Sequence, residues 1–323
     1  MFRNKVLLGS LAVLILLGLT SQDAFAGTRK RKRKKEVVVE LPSLPPLVGP
    51  RKMIAVMDFE NKAGAASNFR IGSGMAEMLT TALINSGRFI VVERQAIQDV
   101  LAEQDFGASG RTAPEAAAKF GRILNAQIMV RGAVTEFAQS TSGGGQGFSY
   151  KGFSLGVSGG KAHVAVNIRL YDSTTGQVLD SQRCEGLASS SGLSFGYSES
   201  DWAVGTSTFK ATPLGEATQR AIDDAVYFIA RRMQDVVWEG RIVTVKGPVI
   251  YLNCGATSGV QAGDSFNVYR PGEELIDPAT GISLGSEVTM LGRVQIAEVQ
   301  DKFSKAAAVS GTGFKRGDII RFE

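Results

Sequence analysis

The stretch TSGGGQGFSYKGFSLGVSGG, residues 141–160, carries two readings that seldom share a segment. Eight of its twenty residues are glycine, the composition of a flexible connection. Yet Phe148, Tyr150, Phe153, Leu155 and Val157 recur at a spacing of two, the period of a strand. A disordered connection gains nothing from aromatics at that period, and a strand in a water-soluble core rarely tolerates so much glycine. The segment reads as strand made for unusual surroundings.

Its neighbours share the character. From Glu136 to Thr212 the chain is poor in charge, rich in Ser and Gly, and patterned as β structure. AHVAVNIRLYD alternates Ala162, Val164, Val166, Ile168 and Leu170 with polar or small residues, STTGQV reads as a tight hairpin turn, and LSFGYS alternates Leu193, Phe195 and Tyr197 with Ser and Gly. Four strands are expected, at roughly 137–150, 160–170, 180–193 and 202–212. A membrane-spanning strand needs about 9–11 residues and shows only such a faint alternation. On that reading Phe153, Leu155, Val157, Leu193, Phe195, Tyr197, Trp202 and Val204 are the lipid-facing candidates. The other reading is a pair of long hairpins in water, packed on a neighbour; spacing alone does not choose. If the strands do enter a bilayer, every backbone group there must be paired, so four strands cannot span alone and several chains must share one barrel.

The flanks are ordinary. Before the β region, RKMIAVMDFEN reads as a strand through Ile54, Val56 and Phe59. GSGMAEMLTTALINSG reads as a helix through Met75, Met78, Leu79, Ala82 and Leu83, stopped at Gly87. RFIVVE is a short strand, RQAIQDVLAEQ a helix through Ile97, Val100 and Leu101, APEAAAKFGRILN a helix opened by Pro114, and AQIMVRGAVTEF a strand. Alternating strands and helices indicate an α/β layer. After the β region, Pro213 opens an amphipathic helix through Leu214, Ala217, Ile222, Val226, Ile229 and Met233, expected to run to about Val237. Residues 241–323 form a separate small β unit with an internal echo, GVQAGDSFNV at 259–268 and GFKRGDIIRF at 313–322. RPGEELIDPATG between them reads as a hairpin loop; its acids lack the spacing of a calcium loop. The fold class is α+β: an α/β domain with two extended hairpins at about 136–170 and 180–212, spanning 51–240, then the all-β unit.

The formal charge of +5 comes from one place. Seven consecutive bases, Arg29 to Lys35, exceed it; without them and without residues 1–26, 27 bases face 30 acids. A nucleic-acid partner is therefore not indicated. The basic run is expected to be a solvated tail or to meet anionic lipid headgroups. Residues 1–26 read as a secretory signal: Arg3 and Lys5, an apolar stretch at 6–19 too short for a bilayer span, and AFA at 24–26. Bases directly after the cut oppose translocation, so an uncleaved anchor is the alternative. Residues 27–50, basic and then Pro-rich, read as an extended leader without core content.

Catalytic material is scarce. His163 is the only histidine and lies within an alternating strand, so a structural or pore-facing role is expected and no Ser-His-acid set can be assembled. GGGQG lacks the Lys-Ser/Thr of a phosphate loop, and Cys184 and Cys254 make neither a disulfide framework nor a metal cluster. No enzyme, cofactor or metal is expected.

AVMDFENK, MLTTALINSGRFIVVERQAIQDVLAEQ, AQIMVRGAVTEF and HVAVNIRLYDSTTGQVL together resemble the curli secretion channel family (CsgG), over about residues 51–237. The resemblance implies a nine-fold ring in the bacterial outer membrane. In it, periplasmic α/β domains line a vestibule, and each protomer gives two hairpins to a 36-stranded barrel that exports unfolded amyloid subunits by diffusion. It also implies a constriction loop of pattern Y-x-x-x-N-F. Here Asn68 and Phe69 match, and Gly64 stands in the tyrosine's place, which suggests a wider orifice. The family's lipid-bearing cysteine is missing. The terminal β unit is similar to the SH3-like C-terminal module of flagellar assembly protein T (FlgT), which implies a periplasmic accessory protein or the cell wall as its partner. The competing expectation is a non-enzymatic periplasmic scaffold or ring component of an envelope or flagellar assembly, with the hairpins kept in water.

Overall fold

A short apolar run ending in Ile54, Ala55 and Val56 suits a strand covered on both sides, and KMIAV is β1 (Lys52–Val56), with those three residues buried. The computed structural model describes residues 43–64, 71–92, 94, 97–109, 126–142, 148–150, 153–157, 159–190, 193–196, 209, 212–279, 281 and 283–323. After β2 (Glu60–Asn61), helix α1 (Ile71–Asn85) leads to β3 (Phe89–Val91), and α2 (Ile97–Ala108) follows. Three long strands come next: β4 (Ile128–Ser142), β7 (Gly159–Asp172) and β8 (Val178–Ser190). Between the first two lie short strands β5 (Phe148–Tyr150) and β6 (Phe153–Val157); β9 (Leu193–Gly196) follows β8. Helix α3 (Pro213–Arg232) closes this lobe.

The main sheet runs β3-β1-β4-β7-β8, with β2 also pairing β4. β1 is parallel to β3 and β4, and the β4-β7-β8 part is antiparallel. Helix α1 buries Ile71, Met75, Met78, Leu79 and Leu83, a stripe at helical spacing, and each such burial is worth about 1.5–3 kcal/mol. It ends as the sequence asks: Gly87 takes φ +66°, and its N–H bonds the Ile84 carbonyl at 3.0 Å. Helix α3 starts on a Thr212 cap whose Oγ1 accepts from the Gly215 N–H at 3.0 Å. It lies so close to β8 that a Cβ at Gly186 would stand 1.8 Å from the Ala217 carbonyl oxygen; Ala217, Ala221 and Ala225 form the small-residue stripe that permits this.

Several expectations need correcting. Helix α3 stops at Arg232 rather than about Val237, because Met233 is its cap and residues 234–236 bond back only three residues. The leader is not free of core content over its described part: Leu44 packs on the lobe's core, and Arg88 Nη2 donates to the Leu44 carbonyl at 3.4 Å. The strand expected over 202–212 does not reach 212. Phe209 is buried and helical, its carbonyl accepts from the Thr212 N–H at 3.0 Å, and its ring stacks on Phe137 with centroids 6.4 Å apart. The helix expected over 113–125 lies outside the described residues.

The C-terminal unit is a closed six-stranded barrel in the order β10-β11-β14-β13-β12-β15. Its strands are β10 (Glu239–Lys246), β11 (Val249–Leu252), β12 (Ser265–Ile276), β13 (Ser283–Val299), β14 (Ser304–Gly311) and β15 (Ile319–Phe322). Its core gathers around Phe266, which meets Trp238 at 5.7 Å and Phe322 at 5.6 Å between ring centroids. The sequence echo is a structural repeat. Gly259, Gly263, Gly313 and Gly317 all take positive φ, and the strands that follow, β12 and β15, pair with Phe266 opposite Phe322 and Val268 opposite Ile320. RPGEELIDPATG is mostly strand, not loop: its first residues finish β12, and only the turn from Asp277 to Gly281 reverses the chain. The Arg51 N–H donates to the Ser258 carbonyl at 2.8 Å, which fastens this barrel to the start of β1.

Candidate functional site: the overrunning ribbon

Strands β4, β7 and β8 are far longer than the core they cover. Val164, Val166, Ile168 and Leu170 of β7 are buried against the helices; among the residues whose burial is described, Ala162 and Ala188 are the buried ones nearest the far end. Beyond them the ladder continues. Gly160 pairs with Ser190, and the same register resumes in β6 and β9, with Val157 opposite Leu193 and Leu155 opposite Phe195. On the other side β4 pairs with β7 up to Ser142 opposite Gly159, and β5 pairs with β6, with Phe148 opposite Leu155 and Tyr150 opposite Phe153. β5 and β6 are thus antiparallel neighbours, and the sequence pattern breaks phase between them: Phe148 and Tyr150 keep one parity, while Phe153, Leu155 and Val157 keep the other. The period of two is two runs, one in each strand, not one.

Paired positions in a ladder share a face, and faces alternate along a strand. The register thus assigns positions 148, 150, 153, 155, 157, 193 and 195, all apolar or aromatic, to one face, and Ser149, Ser154, Gly156, Ser194 and Gly196 to the other. From Phe153 to Lys161 there are nine positions, eight steps or about 27 Å at the rise of an extended chain. Of the residues expected to face lipid, Phe153, Leu155, Val157, Leu193 and Phe195 fall on this register. Tyr197, Trp202 and Val204, like Asn68 and Phe69 of the expected constriction, lie outside the described residues. Gly64 takes φ +65°, a backbone that disfavours any side chain, so a tyrosine there would be strained.

At the root of the ribbon the two faces differ again. One carries the Phe137–Phe209 stack; on the other, four polar side chains tie three strands together. His163 Nδ1 stands 2.8 Å from Glu136, and its Nε2 stands 3.5 Å from Glu185, too long for a good hydrogen bond. Arg183 bonds both Glu136 and Glu185, and its Nη1 donates to Thr135 Oγ1 at 3.3 Å. The Arg183 hydrogen bond holds the Glu185 carboxyl below the usual carboxylate range. The lone histidine is thus a cross-strand brace; nothing in the pattern of one residue type could have shown its partners.

This arrangement has little to offer bond-making chemistry. Cys184 and Cys254 are both free and buried, and burial raises both thiols, Cys254 to about 11, so neither is an active nucleophile. Among the described residues no group of three His, Cys, Asp or Glu side chains could hold a metal ion. No described helix is long and apolar enough to cross a membrane, which leaves strands untouched. What the lobe does present is three long strands and a second small sheet, β5-β6-β9, that takes up the β7–β8 register again: the class is an α+β protein carrying an extended β ribbon.

The family model described as "Curli production assembly/transport component CsgG" matches residues 34–246, and the chain belongs to that family. Curated relatives of that description from Salmonella typhimurium and Escherichia coli K12 are 29% and 28% identical over 182 residues, 53% of this chain. The match spans 65% of each relative's length. Among solved structures, hypothetical protein CT253 from Chlamydia trachomatis is 17% identical, with 56% of this chain and 96% of that one covered and a TM-score of 0.35. A PelC dodecamer from Paraburkholderia phytofirmans is 15% identical, with 56% and 92% covered and a TM-score of 0.28.

Proposed function

We propose that copies of this chain assemble into a ring in the bacterial outer membrane and form a curli-type secretion channel, through which unfolded protein subunits diffuse out. The observation that carries this reading is the β7–β8 register taken up again by β6 and β9, with β5 paired on β6, and with apolar positions on one face of these short strands and Ser or Gly on the other. In a bilayer the first face meets lipid and the second lines water. Among the described residues β5 and β9 end their sheet, and unpaired backbone is not tolerated in hydrocarbon. Strands from the rest of the chain and from sister copies complete the wall.

The α/β lobe then forms the periplasmic vestibule, and Asn68 and Phe69 encircle the passage as a polar and an aromatic collar. Nine copies is the number the family resemblance suggests. The test is electron microscopy of particles extracted from outer membranes in detergent, with conductance in planar bilayers alongside. Closed rings that conduct are expected. A monomer released with the periplasm that never perforates a vesicle overturns the proposal.

A further inference from the structure

The β12–β13 hairpin runs on well past the barrel. β15 pairs with β12 only from Phe266 to Tyr269, and β14 reaches β13 only as far as Gly292. Beyond these limits residues 270–276 and 283–291 pair with each other alone, six steps or about 20 Å of two-stranded ribbon. Such a ribbon is marginal in water by itself. It nevertheless exposes Leu275 (55%), Ile276 (51%), Leu284 (69%) and Met290 (57%). Its two edges are not alike. The β12 edge has Pro271 and register shifts on either side of Glu274, devices that discourage pairing; the β13 edge, residues 283–291, has neither proline nor lysine.

Its charge has one sign. Residues 271–292 contain Glu273, Glu274, Asp277 and Glu287 and no base. Glu273, Glu274 and Glu287 form no ion pair with a described residue. The opposite composition lies at the same end of the same barrel. Arg270, at the ribbon's base, donates to the Gly313 carbonyl at 2.8 Å, which places the exposed Lys315 and Arg316 beside that base. The Gly317 N–H donates to the Ile242 carbonyl at 2.9 Å, and from there β10 carries exposed Val243 and Val245 to the exposed Lys246. An acidic, apolar ribbon and a basic, apolar strip thus occur on one molecule without pairing within it.

We infer that the ribbon of one copy docks on the β10 strip of the next, with Leu284 and its apolar neighbours over Val243 and Val245 and the glutamates against Lys246, Lys315 and Arg316. The contact is head-to-tail, so it closes only in a ring, and it rests on the oligomer proposed above. It gives the C-terminal barrel a partner of its own kind.

The test uses the full chain, purified in detergent, with Leu284→Cys and Val245→Cys together and a short bismaleimide; the native thiols are buried and stay silent. A ladder of intermolecular products is expected. Glu273→Lys, Glu274→Lys and Glu287→Lys should cut its yield about ten-fold through like-charge repulsion, and adding Lys246→Glu, Lys315→Glu and Arg316→Glu should restore it. Light scattering on the same samples separates the failures. A ring-sized particle with no more ladder than a Lys302→Cys control, at the other end of the barrel, rejects the ribbon contact and leaves the channel standing. A monomeric particle rejects both.

Discussion

Asp264 and Asp318 are the same residue used twice. Each carboxylate accepts from the backbone N–H three positions earlier, of Gln261 at 2.8 Å and Lys315 at 2.7 Å. Each carbonyl accepts from the strand alongside, from Ile296 and Ile242, both at 2.9 Å. The glycines before them, Gly263 and Gly317, return N–H bonds to those same two residues, also at 2.9 Å. The barrel is thus two copies of one turn-and-strand unit, and it differs at one point: Asp318 is buried and takes a two-pronged contact from Arg270 at 3.0 and 2.8 Å.

That difference sets an order of stability. Asp318→Ala removes a buried acceptor from its turn and should cost about 2–3 kcal/mol, against about 1 kcal/mol for Asp264→Ala at a more open corner. Urea unfolding followed by the fluorescence of Trp238, which touches Phe266 in the barrel core, reads both. Equal losses would mean that the Arg270 contact and the burial contribute nothing.

Two glycines separate space from backbone. Gly186→Ala forces a methyl group onto the Ala217 carbonyl and should cost about 3 kcal/mol or prevent folding. Gly176 in the β7–β8 turn has open space around it but φ +72°, so Gly176→Ala should cost only about 1 kcal/mol. Thermal melts of the two variants check the ranking.

The α3–β8 seam predicts a pH dependence. Burial, first, raises the Asp224 carboxyl above its usual 3.8, although the Glu185 backbone, Cys184 and Gln182 oppose the shift. The unfolded chain therefore ionises first as pH rises, and the stability this group gives below 3.8 is lost up to its raised value. Asp224→Asn should melt about 2 °C higher than the parent at neutral pH, a small gain because solvent screens a half-exposed group, with no gain below 3.8. A constant difference across pH would remove the assignment.

Face assignment on the ribbon is open to direct trial. Leu155→Arg should oppose insertion by about 2–4 kcal/mol near mid-bilayer, while Ser154→Arg, on the other face, should be tolerated. Recovery of each variant from outer membranes is the measurement, and equal recovery counts against a lipid-facing side. At the constriction, Phe69→Ala should raise single-channel conductance; an unchanged value rejects that collar.

Much of this was legible in the chain itself, for identifiable reasons. The stripe Met75, Met78, Leu79, Leu83 and the alternation Val164, Val166, Ile168, Leu170 are buried as their periods require. The echo at 259–268 and 313–322 carries its turn chemistry in glycine and aspartate, so its structure followed. What failed was composition read without partners. Proline and glycine at 271–272 suggested a loop, but a cross-strand neighbour in β13 holds them extended. Leu44 looked like leader because its contacts lie in residues far along the chain, and the brace around His163 joins three strands no local window contains.

Because β7 and β8 are anchored in the lobe, and Val157–Leu193 and Leu155–Phe195 keep their register, the β6–β9 pairing follows an alignment set in the core. Slippage by a single residue would turn Val164, Val166 and Ile168 out to water and drag polar groups inward, a penalty no tip contact could offset. In the ring proposed above, each subunit would then arrive at its neighbours with that strand pair already in step.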